Sequence, residues 1–123
     1  MNAKQRQVRI LDYIGHMVEA STQARTYIAG VSHQEFLRDA KTQDAVVLKL
    51  IVIGEAATQV MDESPEFVGL HPEIPWRQLR GMRNRMAHGY FEIDMGIVWA
   101  TVTTSLPELE DKLQQILMLP PTN

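Results

Sequence analysis

The sequence predicts an all-α fold, an antiparallel helical bundle of four main helices with short helices between them. Three observations carry that reading. Apolar side chains recur at steps of three and four through the long segments. No segment alternates convincingly between apolar and polar residues with period two. Prolines and capping residues fall mostly where those periodic stretches begin and end.

The first helix is expected from Lys4 to Ala29, with a stripe of Val8, Leu11, Ile14 and Val18 beside a row of Ile10, Ile14 and Met17. Gly30 is placed to stop it. Ser32-His33-Gln34-Glu35 has the spacing of a capping box, with Phe36 and Leu37 in the short helix behind it. A third helix is expected from about Thr42 to Glu63. Its middle, Val46 to Gly54, is apolar nearly all round, the mark of a central helix packed on several sides. Pro65 and Pro75 both stand where a helix can start, because the first helical position needs no amide donor. From Pro75 a helix should continue through Trp76, Leu79 and Met82 to about Ala87, with Gly89 at its end. Asp94 can cap the last helix, whose stripe runs Val98, Val102, Leu106, Leu109, Leu113 and Ile116 or Leu117. Pro107 interrupts that stripe without changing its phase, so one kinked helix is expected.

A chain of 123 residues suits a single domain, here residues 1–123, and a domain of that size can hold a core without staples. With 45% hydrophobic and 22% charged residues, the composition is that of a folded globular chain. Zero cysteines exclude a disulfide scaffold, a thiol nucleophile and any cysteine-ligated metal. His16, His33 and His71 lack metal-ligand spacing, so no metal and no cofactor is expected. The start has no apolar signal region and no apolar run reaches membrane-spanning length, which makes a cytoplasmic protein without membrane contact the expectation.

The net charge is −3, which does not favour a general nucleic-acid-binding regulator. Its distribution says more. Between Glu73 and Glu92 lie eighteen residues without Asp or Glu but with Arg77, Arg80, Arg83 and Arg85, so the remainder of the chain carries −7. His88 and Tyr90 lie in the same window. Arginines beside a histidine on an otherwise acidic domain suit a confined phosphate site; the plain alternative is a solvated helix whose arginines pair with acids elsewhere.

Arg83-Asn84-Arg85-Met86-Ala87-His88-Gly89-Tyr90 reads as Arg, a polar residue, three more, His, one residue, Tyr. This resembles the signature of the HEPN superfamily and, with the added Tyr, that of its HepT-like toxins. Gln43-Asp44-Ala45, Ile53-Gly54-Glu55-Ala56, Ile74-Pro75-Trp76 and Val98-Trp99 are similar to the HepT pattern in the same order, so the resemblance covers roughly residues 5–118. The resemblance implies an all-α ribonuclease toxin of a type II-like toxin–antitoxin system, acting as a homodimer on RNA. It also implies a partner, an MNT-type nucleotidyltransferase antitoxin, with Tyr90 as the residue that receives AMP.

The residue types fit that chemistry. Metal-free RNA cleavage uses the neighbouring 2′-hydroxyl as nucleophile, and it needs a base, an acid and cationic donors for the charge on phosphorus. His88 can serve as acid or base near neutral pH, and Arg83 offers a permanent charge in a planar fork. Each chain brings one motif histidine, and a two-fold dimer would supply two. Positions five apart on a regular helix point about 140° apart, so His88 is expected at or beyond the helix end, where Gly89 permits a turn. Asn84 is a candidate to orient the phosphate or His88. Arg85 is a candidate RNA-backbone contact or a solvated side chain. Glu55, in an apolar stretch, is expected to be buried and to hold an arginine. Gly54 is expected to serve close helix packing. The rival reading is a catalytically inactive helical binding module that scaffolds a nucleotidyltransferase partner or binds nucleotide or RNA.

Overall fold

Helix α1 spans Ala3–Tyr27 in the computed structural model, which describes residues 1–120; Pro121, Thr122 and Asn123 of the expected domain lie outside the described residues. Asn2 accepts from the Gln5 amide, and the Gln5 side chain accepts from the Asn2 amide, a reciprocal cap that starts the helix one residue before Lys4. Of the two expected apolar rows, Ile10, Ile14 and Met17 are buried, continued by Ala20, Ser21 and Ala24. Val8 is 55% exposed, and Leu11 and Val18 lie only at the margin of the core. The two rows share Ile14 but point in different directions, and the neighbouring helices cover only one. After Tyr27 the chain turns through a hydrogen bond from the Val31 amide to the Ile28 carbonyl, with Gly30 at φ +76°, where a side chain would be strained.

The short helix α2, His33–Phe36, carries the Ser32/Glu35 capping box and buries Phe36 beneath Trp99. Helix α3, Ala40–Glu63, begins two residues ahead of expectation because Asp39 caps it. One Asp39 oxygen accepts from the Thr42 hydroxyl at 2.6 Å and the other from the Thr42 amide at 3.1 Å. These bonds favour the ionised cap and hold its carboxyl below the ordinary aspartate value. The cap therefore supports α3 above the usual aspartate pKa and is lost as pH falls through the lowered one. Helix α3 is central as expected, but not apolar-covered all round: Leu48 is exposed, and Ile51 and Val52 are half-buried.

Helix α4, Pro65–Leu70, starts with its proline at the first helical position and is capped by Ser64. Helix α5, Trp76–His88, begins one residue after Pro75, which takes the cap position. The Trp76 indole donates to the His71 carbonyl and ties down the irregular link. A 3₁₀ turn at Tyr90–Glu92 leads to α6, Met95–Ala100, capped by the Asp94 carboxylate. A π turn at Thr101–Ser105 then joins α6 directly to α7, Leu106–Leu117. The stripe does run on without a change of phase, and the π turn is the device that allows it. Pro107 offers no amide and would crowd the carbonyl four residues back; the Leu106 amide reaches five back, to Thr101, and widens the backbone just ahead of the proline.

Helix α1 packs on α3 and α7, and α3 packs on α5. Pairs at the ends fix the directions. Arg9 meets Glu63, so α1 and α3 are antiparallel, while Glu55 meets Arg83 and Asp44 meets Tyr90, so α3 and α5 are antiparallel as well. Among the described residues there is no strand. The fold is the all-α antiparallel bundle that the periodicity predicts, open along one seam between α5 and the α6–α7 arm.

Candidate active site

The site begins with a missing side chain. A Cβ at Gly54 would lie 2.5 Å from the Arg83 Cβ and 2.6 Å from the Leu79 carbonyl oxygen, so only glycine lets α3 and α5 meet here. That contact seats the base of Arg83 against α3. Its Nη1 then donates to Glu55 Oε2 at 2.8 Å, while the other Glu55 oxygen accepts from Gln59. Glu55 is 46% exposed, not buried as its apolar neighbours suggested; α5 covers one side of it and solvent the other. The Arg83 side chain is three-quarters buried. Its Nε is fully buried and, among the described residues, has no hydrogen-bond partner. One turn earlier, Arg80 donates to Asp62 at 2.6 Å. Acids of α3 thus engage two of the four clustered arginines, and Arg77 and Arg85 stay exposed.

His88 occupies the last residue of α5, and the Gly89 amide still bonds to the Arg85 carbonyl at 2.8 Å. Helical geometry therefore holds through His88 and sets it about 140° around the axis from Arg83. The expected loosened end is absent. Gly89 has φ −113°, not a left-handed value; glycine is needed there because a Cβ would come within 2.8 Å of the Arg85 carbonyl oxygen. His88 faces instead a cavity of about 930 Å³ between α5 and the α6–α7 arm. Asn84, Arg85 and His88 lie along its polar edge with the carboxylates Glu92 and Asp94, and Met82, Met86 and Leu106 belong to its apolar wall. Arg83 does not line it. Within one chain the structure brings together Arg83 with Glu55, and separately His88 with Asn84 and Arg85.

Tyr90 is half-exposed, and its hydroxyl donates to Asp44 Oδ1 on α3 at 3.0 Å. Phe91 beside it is 99% exposed. The hydrogen bond to Asp44, and secondarily the charge of that carboxylate, raise the Tyr90 phenol above its ordinary value, because ionisation would abolish the bond and place two negative groups together. The bond thus persists below the ordinary tyrosine pKa and is lost as pH rises through the raised one. In a chain carrying Tyr13→Phe and Tyr27→Phe, ultraviolet titration should show Tyr90 ionising later than a free tyrosine, and Asp44→Asn should bring it back toward the ordinary value. Asp44, which touches Tyr90 and neither Arg83 nor His88, is the partner that chemical reasoning from the sequence missed. Its only signal was its place in Gln43-Asp44-Ala45, and the partner lies 46 residues away.

Trp76 is a core residue, and Trp99 stacks its ring parallel to His33 with centroids 5.3 Å apart. Among the described residues, no three His, Asp or Glu side chains gather closely enough to hold a metal ion. Among the described residues, no helix is long and apolar enough to cross a membrane.

Residues 17–116 match the family model described as Ribonuclease HepT-like, a span that includes every side chain of the site just described. The chain belongs to the HepT-like ribonuclease family. A HepT-like relative from Thermococcus cleftensis, named "Probable ribonuclease HepT", is 36% identical over 105 residues, which cover 85% of this chain and 93% of that protein. A "Putative RNase" of Caldanaerobacter subterraneus subsp. tengcongensis is 32% identical over 85% of this chain and 91% of its own length. Another "Putative RNase", from Methanocaldococcus jannaschii, is 30% identical over 88% of the chain and 81% of its own length. No solved structure matches.

Proposed function

We propose that this HepT-like chain is a metal-independent endoribonuclease whose site is completed by a second copy, with Arg83 and His88 as the chemical residues. The observation that carries the reading is the arrangement of α5: Arg83 anchored on one flank by Glu55, and His88 with Asn84 and Arg85 on the edge of an open, apolar-walled cavity on another. The exposed Ile97 lines that cavity, and the wholly exposed Phe91 stands in the turn directly after α5; both favour burial against another surface. In the proposed two-fold dimer the α5 helices of both copies border one cleft, so that each reaction draws on two histidines and two arginines. In the reaction one His88 takes the 2′-hydroxyl proton, the 2′-oxygen attacks phosphorus, and the bond to the 5′-oxygen breaks. The second His88 protonates that leaving oxygen, and Arg83 offsets charge on the phosphoryl oxygens. Asn84 and Arg85 hold the backbone of the RNA.

Cleavage of bulk cellular RNA in EDTA, leaving 2′,3′-cyclic phosphate ends or their hydrolysis product, is the expected result. Activity restored only by added magnesium would overturn the metal-free mechanism. Monomer alone at micromolar concentration in sedimentation, with full activity, would overturn the shared site. Absence of cleavage under every condition would favour the binding-module reading.

The proposal extends to a cytoplasmic toxin–antitoxin role, with an MNT-type nucleotidyltransferase antitoxin adding AMP to Tyr90. In that step the Tyr90 oxygen bonds to the α-phosphorus of ATP, the bond to pyrophosphate breaks, and the phenolic proton departs. Half-exposure of Tyr90 at the end of the His88 helix supports access by another enzyme. Asp44 and Glu55, which hold Tyr90 and Arg83, are eleven residues apart on α3, or about 16 Å along its axis. A phosphate on Tyr90 therefore silences by charge and bulk at the cleft edge, not by filling the phosphate position at Arg83 of its own chain.

A further inference from the structure

We infer that Asp44 is the residue that sorts Tyr90 between two positions, holding the unmodified ring on α3 and expelling the nucleotide-bearing one toward His88. The inference rests on the reading of Tyr90 as the nucleotide acceptor. It starts from the single hydrogen bond that Tyr90 makes outside its own turn, Oη to Asp44 Oδ1 at 3.0 Å. Both partners are exposed, and among the described residues no lysine or arginine pairs with Asp44. The carboxylate is therefore a bare negative charge whose neighbour at Oη is a neutral donor.

That arrangement is stable only while Oη keeps its proton. Transfer of AMP removes the proton and puts a phosphodiester, with one negative charge, on the same oxygen. The donor is gone, and two like charges stand where a hydrogen bond stood. The basic residues of α3 near Asp44 are Lys41, three positions before it, and Lys49, five after. Among the described residues neither forms an ion pair with Asp44, one such charge does not offset two negative ones, and the face toward Glu55 carries Leu48, Ile51 and Val52. The ring has to leave α3. It is carried on the 3₁₀ turn directly behind Gly89, and the end of α5 with exposed Arg85 and His88 is the adjacent ground where positive charge is available. Modification thus converts a parked side chain into a charged arm over the cleavage site. Asp44 makes the two positions mutually exclusive.

A mere staple between the turn and α3 would behave differently. Asparagine keeps a carbonyl to accept from the phenol, so Asp44→Asn should leave the unmodified chain in place. Its amide can also donate to a phosphate, so it should keep a modified ring on α3 as well. The test incorporates O-phosphotyrosine at position 90, which puts an aryl phosphate ester on the same oxygen, in the full chain with and without Asp44→Asn. Thermal unfolding of each form checks that the bundle is intact. In the chain that retains Asp44, the phosphate should lower RNA cleavage at least about tenfold, and Asp44→Asn should return roughly half or more of that loss. Without the phosphate, Asp44→Asn and the natural chain should cleave equally. Equal silencing with and without Asp44→Asn would overturn the role of Asp44 while leaving Tyr90 as the control point. No silencing by the phosphate in either chain would overturn both.

Discussion

His88→Ala lowers RNA cleavage by about 10²–10⁴-fold, the range lost when a general acid or base is removed, while the chain stays folded. Stability should hold because His88 is exposed at the end of α5 and the bundle core does not rest on it. Arg83→Lys should lose a comparable factor for another reason. Lysine keeps the charge, but it cannot donate to Glu55 through one nitrogen and present others of a planar fork to a phosphate. Because the two chains of the proposed dimer share one cleft and the reaction uses both histidines, mixing natural and His88→Ala chains adds a sharper expectation. The mixed dimer keeps one histidine and lacks the other proton-transfer partner, so it should cleave far below half the natural rate. A His88→Ala chain that cleaves at the natural rate would remove His88 from the chemistry, whatever the family motif says. RNA affinity, measured in the same variants, should change far less than the rate for His88→Ala.

The elements were legible because their signals are local. The 3.6-residue spacing, the Ser32 box, the prolines at 65 and 75 and the Asp94 cap each act within a few residues. What the sequence hid depends on distance or on choice between equals. Two apolar rows on α1 fit the periodicity equally well, and only packing against α3 and α7 selects the one through Ile10 and Met17. Leu48 reads as core by composition, yet the bundle leaves it facing solvent. At the site, the spacing of Arg83 and His88 was visible, but their divergence within one chain depends on the helix persisting through His88. That Glu55 holds an arginine followed from a charge inside an apolar stretch, but which arginine it holds did not, and the burial expected of it is only partial. The pairing of Tyr90 with Asp44 had no such signal, because an aspartate one turn into an amphipathic helix is ordinary until α5 ends beside it.

The largest effect on stability is expected from a single methyl group. Gly54→Ala should destabilise the chain by about 1–3 kcal/mol, as overpacking of a tight core contact does. The new Cβ would stand 2.5 Å from the Arg83 Cβ and 2.6 Å from the Leu79 carbonyl oxygen, and neither is the end of a flexible side chain that can swing aside. The backbone of α5 must move off α3. Helix propensity works in the opposite direction, since alanine in a helix interior is favoured over glycine by roughly 1 kcal/mol, so a net loss would have to come from the contact itself. Gly15→Ala on α1 is the control: its Cβ meets no atom within 4 Å, and the same substitution there should leave stability unchanged or improve it. Thermal or denaturant unfolding of the two variants reads the difference directly. Cleavage should fall further than the unfolded fraction of Gly54→Ala explains, because the displaced segment is the one that seats Arg83 beside Glu55. If Gly54→Ala were as stable as Gly15→Ala, α3 and α5 could not be in the contact described. The glycine would then have no part in placing the arginine.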